Sequence, residues 1–318
     1  MNRRTFVVCG TDGKVLAYID ITGEGENILQ ITLAAFSERF SEEITPKELE
    51  IKEQTEHKYV DYRIHCRGTY MKTKIQFNAN YLKVVAIIAM TIDHCTDLFY
   101  PGFPTEAIPL GLHFIGRLTA PIMWFFVCEG YHYTKNVKKY MMRLGIFAVI
   151  SHFAYCFGFG ISLNPLEGGI FNRTSVIYPL FIAVVVLYLE DLQTPMKKWQ
   201  KRIIQFVLII SAFPADWSCI AVLAILGMYS KRGNLEKQMI EMISWVFWYG
   251  LVSFLFVNKV YAIELVGVLM VYPVLKLYNG ERGKASWMKW FFYIYYPAHL
   301  IVIGIIRIFV YGNINLTV

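Results

Sequence analysis

The sequence predicts an all-α polytopic membrane bundle of about nine apolar helices, with one adjacent pair too short for a full crossing, behind a small N-terminal soluble α+β domain. Three observations carry this expectation. Apolar residues make up 56% of the 318 and charged ones only 17%, with a mean hydropathy of +0.41, far from the soluble average. Apolar runs of helical length recur from Tyr81 to the C-terminus, and the Lys and Arg of that region fall in the gaps between them. Residues 1 to about 70 have no such run.

The N-terminal part reads as short elements. RTFVVC and VLAYIDI are β-rich runs separated by a Gly-Thr-Asp-Gly turn, the signature of a hairpin. Asn27 to Phe40 spaces Ile28, Ile31, Leu33, Ala35, Phe36 and Phe40 mainly for one helical face, with Asn27 as the cap. An acidic stretch follows, then a last strand candidate, KYVDYRIHC. A unit of this size is marginal alone. The start, MNRRTFVVCGTDGK, has too short an apolar run for a signal-peptide core, so the N-terminus is expected to remain, and to remain in the cytoplasm.

Nine apolar segments follow, at approximately 81–100, 113–133, 144–161, 174–190, 203–213, 217–229, 239–257, 260–278 and 290–311. A crossing needs about 20 apolar residues, which the fifth and sixth lack; they read as a tight hairpin around Asp216 and Trp217. With the N-terminus inside, the inner gaps hold Lys135, Lys138, Lys139 and Arg143, then Lys197 to Arg202, Lys231 to Lys237, and Arg282 to Lys289. The outer gaps hold only Arg173 and Lys259. The net charge of +7 is therefore topological, and no nucleic-acid partner is expected. The partner is the lipid bilayer. The six cysteines form no C-x-x-C, and neither a disulfide framework nor a metal site is expected.

The first two segments carry ionisable groups that hydrocarbon does not tolerate without a reason: Asp93 and His94 in one, His113, Arg117, Glu129 and His132 in the other. Helical rise places His94 about 20 Å from the inner interface and Arg117 about 8 Å below the outer one, nearly one level in a core about 30 Å thick. His299, about 14 Å in, follows Pro297, whose ring and missing N–H kink a helix and open space beside the imidazole. Adjacent Asp93 and His94 point in different directions and need not pair. His113 reads as an outer-interface residue, and Glu129 and His132 as lining an access route or solvated.

The patterns LKxxAxxxMxxDH (Leu82 to His94), GRLTAPIMWFFVCEG (Gly116 to Gly130) with the basic KNVKKYMMR behind it, and YYPAHL (Tyr295 to Leu300) resemble the TraX family from about Tyr81 onward. That family is named for a conjugation protein that N-acetylates pilin and is distantly similar to membrane acyltransferases that modify sugars. The resemblance implies a membrane acyltransferase domain over residues 80–318 of the bacterial cytoplasmic membrane, multi-pass with the N-terminus inside, and leaves residues 1–75 as a cytoplasmic α+β domain of unassigned role. It implies acetyl-CoA as donor and a peptide N-terminal amine or a glycan as acceptor. His94 is then the general base, Asp93 the group that stabilises its charged imidazole or orders the first span, and Arg117 the ligand of the acyl oxygen or of an acceptor carboxylate. His299 completes the cavity, while Lys135, Lys138, Lys139 and Arg143 meet the phosphates of coenzyme A. Two other readings stand beside this one: a polytopic transporter, which also needs ionisable groups inside a bundle, and a non-catalytic component of a conjugation or secretion apparatus.

Overall fold

The computed structural model describes residues 3–9, 15–22, 50–54, 63–66 and 76–318, apart from 164–172, 194, 286, 313, 317 and 318. The chain divides into two compact units, Met1–Thr69 and Tyr70–Val318. In the first, strands β1 (Arg3–Cys9), β2 (Val15–Thr22), β3 (Glu50–Gln54) and β4 (Arg63–Cys66) form an antiparallel sheet in the order β3-β1-β2-β4. β3 arises from the acidic stretch. The helix expected over Asn27 to Phe40 lies outside the described residues.

The second unit is helical, and its nine segments among the described residues follow the apolar runs of the sequence. They are α1 (Ala79–Phe99), α2 (Ala107–Gly116) continued by α3 (Thr119–Tyr133), α4 (Val137–Phe159), α5 (Ile177–Asp191), α6 (Lys198–Ser211), α7 (Ser218–Ser230), and α8 (Leu235–Phe256). An eighth, broken segment joins α9 (Lys259–Glu264), a 3₁₀ turn (Leu265–Met270) and α10 (Val271–Lys276), and α11 (Met288–Tyr311) is the ninth. Among the described residues four stretches are long and apolar enough to cross a membrane: Ala107–Tyr133, Val137–Phe159, Leu235–Phe256 and Trp290–Tyr311. The protein is a membrane protein. The faces it turns outward are correspondingly greasy, with Phe206, Val207, Phe247, Leu255, Phe256 and Phe309 exposed, a pattern that lipid rather than water accommodates.

Local chemistry explains where these helices begin and break. Asn78, Asn136, Asn234 and Asn258 cap α1, α4, α8 and α9, each side-chain oxygen accepting from a backbone N–H of the first turn. The second crossing starts earlier than the sequence suggested, at Ala107, and is interrupted at Arg117–Leu118. Pro121 has no N–H to give the Arg117 carbonyl four residues back, so the helix relaxes there. α11, by contrast, runs through Pro297 as one helix. α6 and α7 have 14 and 13 residues, about 20 Å each at ~1.5 Å per residue, short of a crossing.

The turn between α6 and α7 is built, not slack. Trp217 and Ser218 both have left-handed backbone, φ 62° and 51°, conformations that non-glycine residues adopt only when surroundings enforce them. The enforcement is visible. Asp216 N–H donates to Thr174 O at 2.8 Å, the Ser218 hydroxyl donates to Phe213 O at 2.9 Å, and the buried Trp217 ring meets Trp124 edge to face at 5.1 Å. Arg307, deep in α11, is structural as well: its guanidinium donates to the carbonyls of Phe157, Gly158 and Ile314 and ties the C-terminal turn to α4.

Candidate active site

α1, α2, the α6–α7 turn and the broken eighth segment converge on one buried cluster of charge. On α1 the buried positions Leu82, Ala86, Ala89, Met90 and His94 form the inward stripe, which carries Asp93 and His94 into the bundle. His113 and Arg117, four residues apart and hence on one face of α2, meet Asp93: His113 Nδ1–H donates to Oδ1 at 2.8 Å and Arg117 Nη1 approaches Oδ2 at 3.5 Å. Arg117 Nη2 donates to Glu264 at 2.5 Å, and its guanidinium stacks over Tyr261, 5.0 Å from the ring centroid. His113 Nε2 lies 3.9 Å from Asp97.

Two glycines make these approaches possible. A Cβ at Gly116 would overlap the Asp93 carboxylate, and one at Gly267 would stand 2.7 Å from the Phe114 carbonyl, holding the 3₁₀ turn, and Glu264 with it, away from α2. A charged pair this deep is stabilising only while both partners are present; loss of one leaves a buried charge uncompensated, at about 3–5 kcal/mol.

His94 belongs to a different set of contacts. Its Nδ1 is 2.8 Å from His299 Nε2, and His299 Nδ1 is 3.0 Å from the Tyr295 carbonyl. A carbonyl oxygen only accepts, so His299 carries its proton on Nδ1 and offers a lone pair at Nε2. In a neutral pair His94 must then donate from Nδ1, which leaves the lone pair on His94 Nε2, a nitrogen with no hydrogen bond to any described residue. The two rings stack at 5.0 Å, and Tyr295 stacks on His299 at 5.3 Å.

Two cavities flank this point and share Asp93, His94, Arg117, Asp216 and Trp217. One lies toward the N-terminal end of α1 and is mostly apolar, with Ala86, Ile87, Met90, Met123, Leu180 and Phe292 in its walls and about 730 Å³ of space counted with its open mouth. The other lies toward the opposite end, by Asp97, Gly102 and Phe103, and adds His113, Tyr261 and Glu264 to its walls. One hydrogen-bond donor at the junction is also open: the buried Arg117 Nε–H has no partner among the described residues.

The site expected from the sequence is thus partly assembled and partly rearranged. His94 and Arg117 do border common cavities. Asp93 pairs with His113 and Arg117 rather than with His94. His299 supports the His94 ring from behind and is absent from the walls of both cavities. His113 is no interface residue but 2% exposed and central. Glu129 pairs with Arg232 at 2.9 Å and borders neither cavity. Lys135, Lys138 and Lys139 are exposed around the start of α4, and Arg143, half-buried one turn on, stacks over Tyr140; none borders either cavity. Glu264 and Tyr261 were overlooked, although a carboxylate inside the eighth apolar run was the same signal that singled out Asp93. Among the described residues no group of three or more His, Cys, Asp or Glu is placed to hold a metal.

The family model described as TraX protein matches residues 78–307, which contain every residue of this cluster. The chain belongs to the TraX family. A curated relative, a probable fimbrial assembly protein (FimC, serogroup H1) of Dichelobacter nodosus, is 29% identical over 253 residues, covering 75% of this chain and 99% of its own length. No solved structure matches. In TraX terms, the match begins at the Asn78 cap of α1 and ends at Arg307, so the sheet-forming N-terminal unit lies outside it.

Proposed function

We propose that this TraX-family protein is a membrane acyltransferase that moves an acetyl group from acetyl-CoA to an amine, with a peptide N-terminus as the acceptor class. One observation carries the reading: the junction of the two cavities presents an open acceptor, His94 Nε2, and an open buried donor, Arg117 Nε–H, on shared walls. Acyl transfer requires that combination, a base for the acceptor proton and a donor for the oxyanion.

In this reading the thioester enters the apolar cavity and the acceptor the polar one. Asp97, Asp216 and Glu264 outnumber the cations there, an environment that draws an ammonium group and disfavours an acidic acceptor. After loss of one proton to water the amine attacks the thioester carbon. The N–C bond forms, the carbonyl electrons move to the oxygen facing Arg117 Nε–H, and His94 Nε2 takes one of the two protons left on the nitrogen, the other staying in the amide. Collapse of the oxyanion breaks the C–S bond, and the departing thiolate takes that proton from His94. Asp93 acts on Arg117 and His113, holding both in place; the imidazolium of His94 is steadied instead by His299 and, through it, the Tyr295 carbonyl.

The basic gaps support placing the N-terminal end of α1 at the cytoplasmic face of a bacterial inner membrane, with residues 1–75 as a soluble α+β domain on the same side. The exposed Lys135, Lys138 and Lys139 then stand where the outer phosphates of coenzyme A would arrive. The deciding experiment is transfer of labelled acetyl from acetyl-CoA to peptides and sugars by detergent-solubilised protein, with His94→Ala as the control; a folded variant with wild-type turnover removes His94 from the reaction. A second reading, a non-catalytic part in pilus assembly, is favoured by the relative being named a probable fimbrial assembly protein, and it predicts neither transfer nor sensitivity to His94.

A further inference from the structure

We infer that Lys83, with Arg282 beside it, anchors the pyrophosphate of the coenzyme A thioester at the mouth of the apolar cavity; this rests on the acyltransferase reading above. Lys83 lies on α1 one turn before Ala86 and Ile87, which line that cavity, on the side away from Asp97. Its half-buried ammonium sits 5.1 Å from the Phe126 ring centroid and 5.5 Å from that of Phe292, and Phe292 is itself a wall of the cavity.

The electrostatics around it are unbalanced. Three cations at this end of the bundle have found acids: Arg232 pairs with Glu129, and Lys201 and Arg202 with Glu190. Lys83 has no carboxylate within 4.0 Å among the described residues, and the loop carrying a second cation, Arg282, is fastened to the first turn of its own helix, where Ala79 N–H donates to Glu281 O at 2.8 Å. Two positive groups beside an apolar opening, with no acid between them, complement a phosphate dianion or a pyrophosphate.

The reach agrees. His94 lies eleven positions beyond Lys83, about 16 Å of helix at ~1.5 Å per residue. A pantetheine arm contains about as many chain bonds between pyrophosphate and sulfur as four residues of extended backbone, ~14 Å. A pyrophosphate held by Lys83 therefore delivers its thioester to the junction where His94 and Arg117 wait. The exposed α4 lysines are left for the 3′-phosphate of the nucleotide.

The test compares acetyl-CoA with S-acetylpantetheine, which has the arm but neither pyrophosphate nor nucleotide, in nanodiscs made with and without anionic lipid. Lys83→Met is expected to raise the ratio of the acetyl-CoA KM to the S-acetylpantetheine KM by about 10- to 100-fold, as loss of a charge-assisted contact implies, and Lys83→Arg to restore most of it. Arg282→Gln moves the ratio the same way by less, about 3-fold. An unchanged ratio overturns the inference, and so does a rise in both KM values together that tracks anionic lipid, which assigns Lys83 to a lipid headgroup. Equilibrium binding of radiolabelled coenzyme A separates the two levels of the argument. Lys83-dependent binding without transfer from either donor sinks the acyltransferase reading and keeps the anchor, whereas transfer with Lys83-independent binding does the reverse.

Discussion

His299 stands between a backbone carbonyl and His94, 3.0 Å from Tyr295 O through one ring nitrogen and 2.8 Å from His94 through the other. The carbonyl fixes the tautomer of the first ring and thereby of the second. His94→Ala is expected to lower kcat by about 10²- to 10⁴-fold, the usual contribution of a general base. His299→Phe keeps the aromatic stack on Tyr295 but cannot accept from His94. It should lower kcat by about 10-fold at unchanged KM and displace the acidic, ascending limb of the pH–rate profile, where the base loses activity by protonation, as expected of a positioning residue acting through the base. An unaltered pH profile would show that the stack alone matters.

The pair Arg117–Glu264 predicts a stability effect apart from chemistry. Glu264→Gln leaves part of a buried guanidinium charge uncompensated and should cost about 3–5 kcal/mol, read as a lower unfolding temperature of the solubilised protein. Arg117→Met combined with Glu264→Met should recover most of that loss while abolishing transfer, since the oxyanion donor is gone. Recovery of turnover in the double variant would detach Arg117 from the reaction.

Gly116 and Gly111 lie on the same short helix and make a matched test. A methyl at Gly116 would collide with the Asp93 carboxylate, whereas one at Gly111 meets nothing within 4 Å. Gly116→Ala should destabilise by about 1–3 kcal/mol and reduce transfer, as overpacking does, while Gly111→Ala should leave the melting curve in place. Equal behaviour of the two would mean that α1 and α2 do not meet as described.

Acceptor class is readable at Asp97, which borders the polar cavity and not the apolar one. Asp97→Asn should raise the KM of a peptide amine by about 3- to 10-fold, the worth of one partly screened charge, with little effect on the KM of acetyl-CoA. A shift in the donor KM instead would put the two substrates in each other's chambers.

Much of the membrane region was legible because bilayer thickness and apolar run length are tied together. The nine runs and the short sixth and seventh helices around Asp216 follow from rise per residue. Partner choice was not legible. Asp93 takes His113 rather than His94 because a glycine at position 116 admits the carboxylate, and sequence spacing along single helices says nothing about a contact between them. Glu264 enters the site through a helix that breaks into a 3₁₀ turn, and Arg117 sits where Pro121 withholds a donor. Both are irregularities that periodicity does not forecast.

The left-handed corner at Trp217 and Ser218 has a consequence for what can pass between donor and acceptor. An indole wedged against Trp124, rather than a flexible loop, stands in the walls of both chambers, and its position is fixed by backbone that resists sliding. Under the proposed acyl transfer, a group that outgrows acetyl would have to displace that ring before it could be handed across. Selectivity for chain length would then be gauged at residue 217, by an aromatic plate that touches none of the groups moving protons.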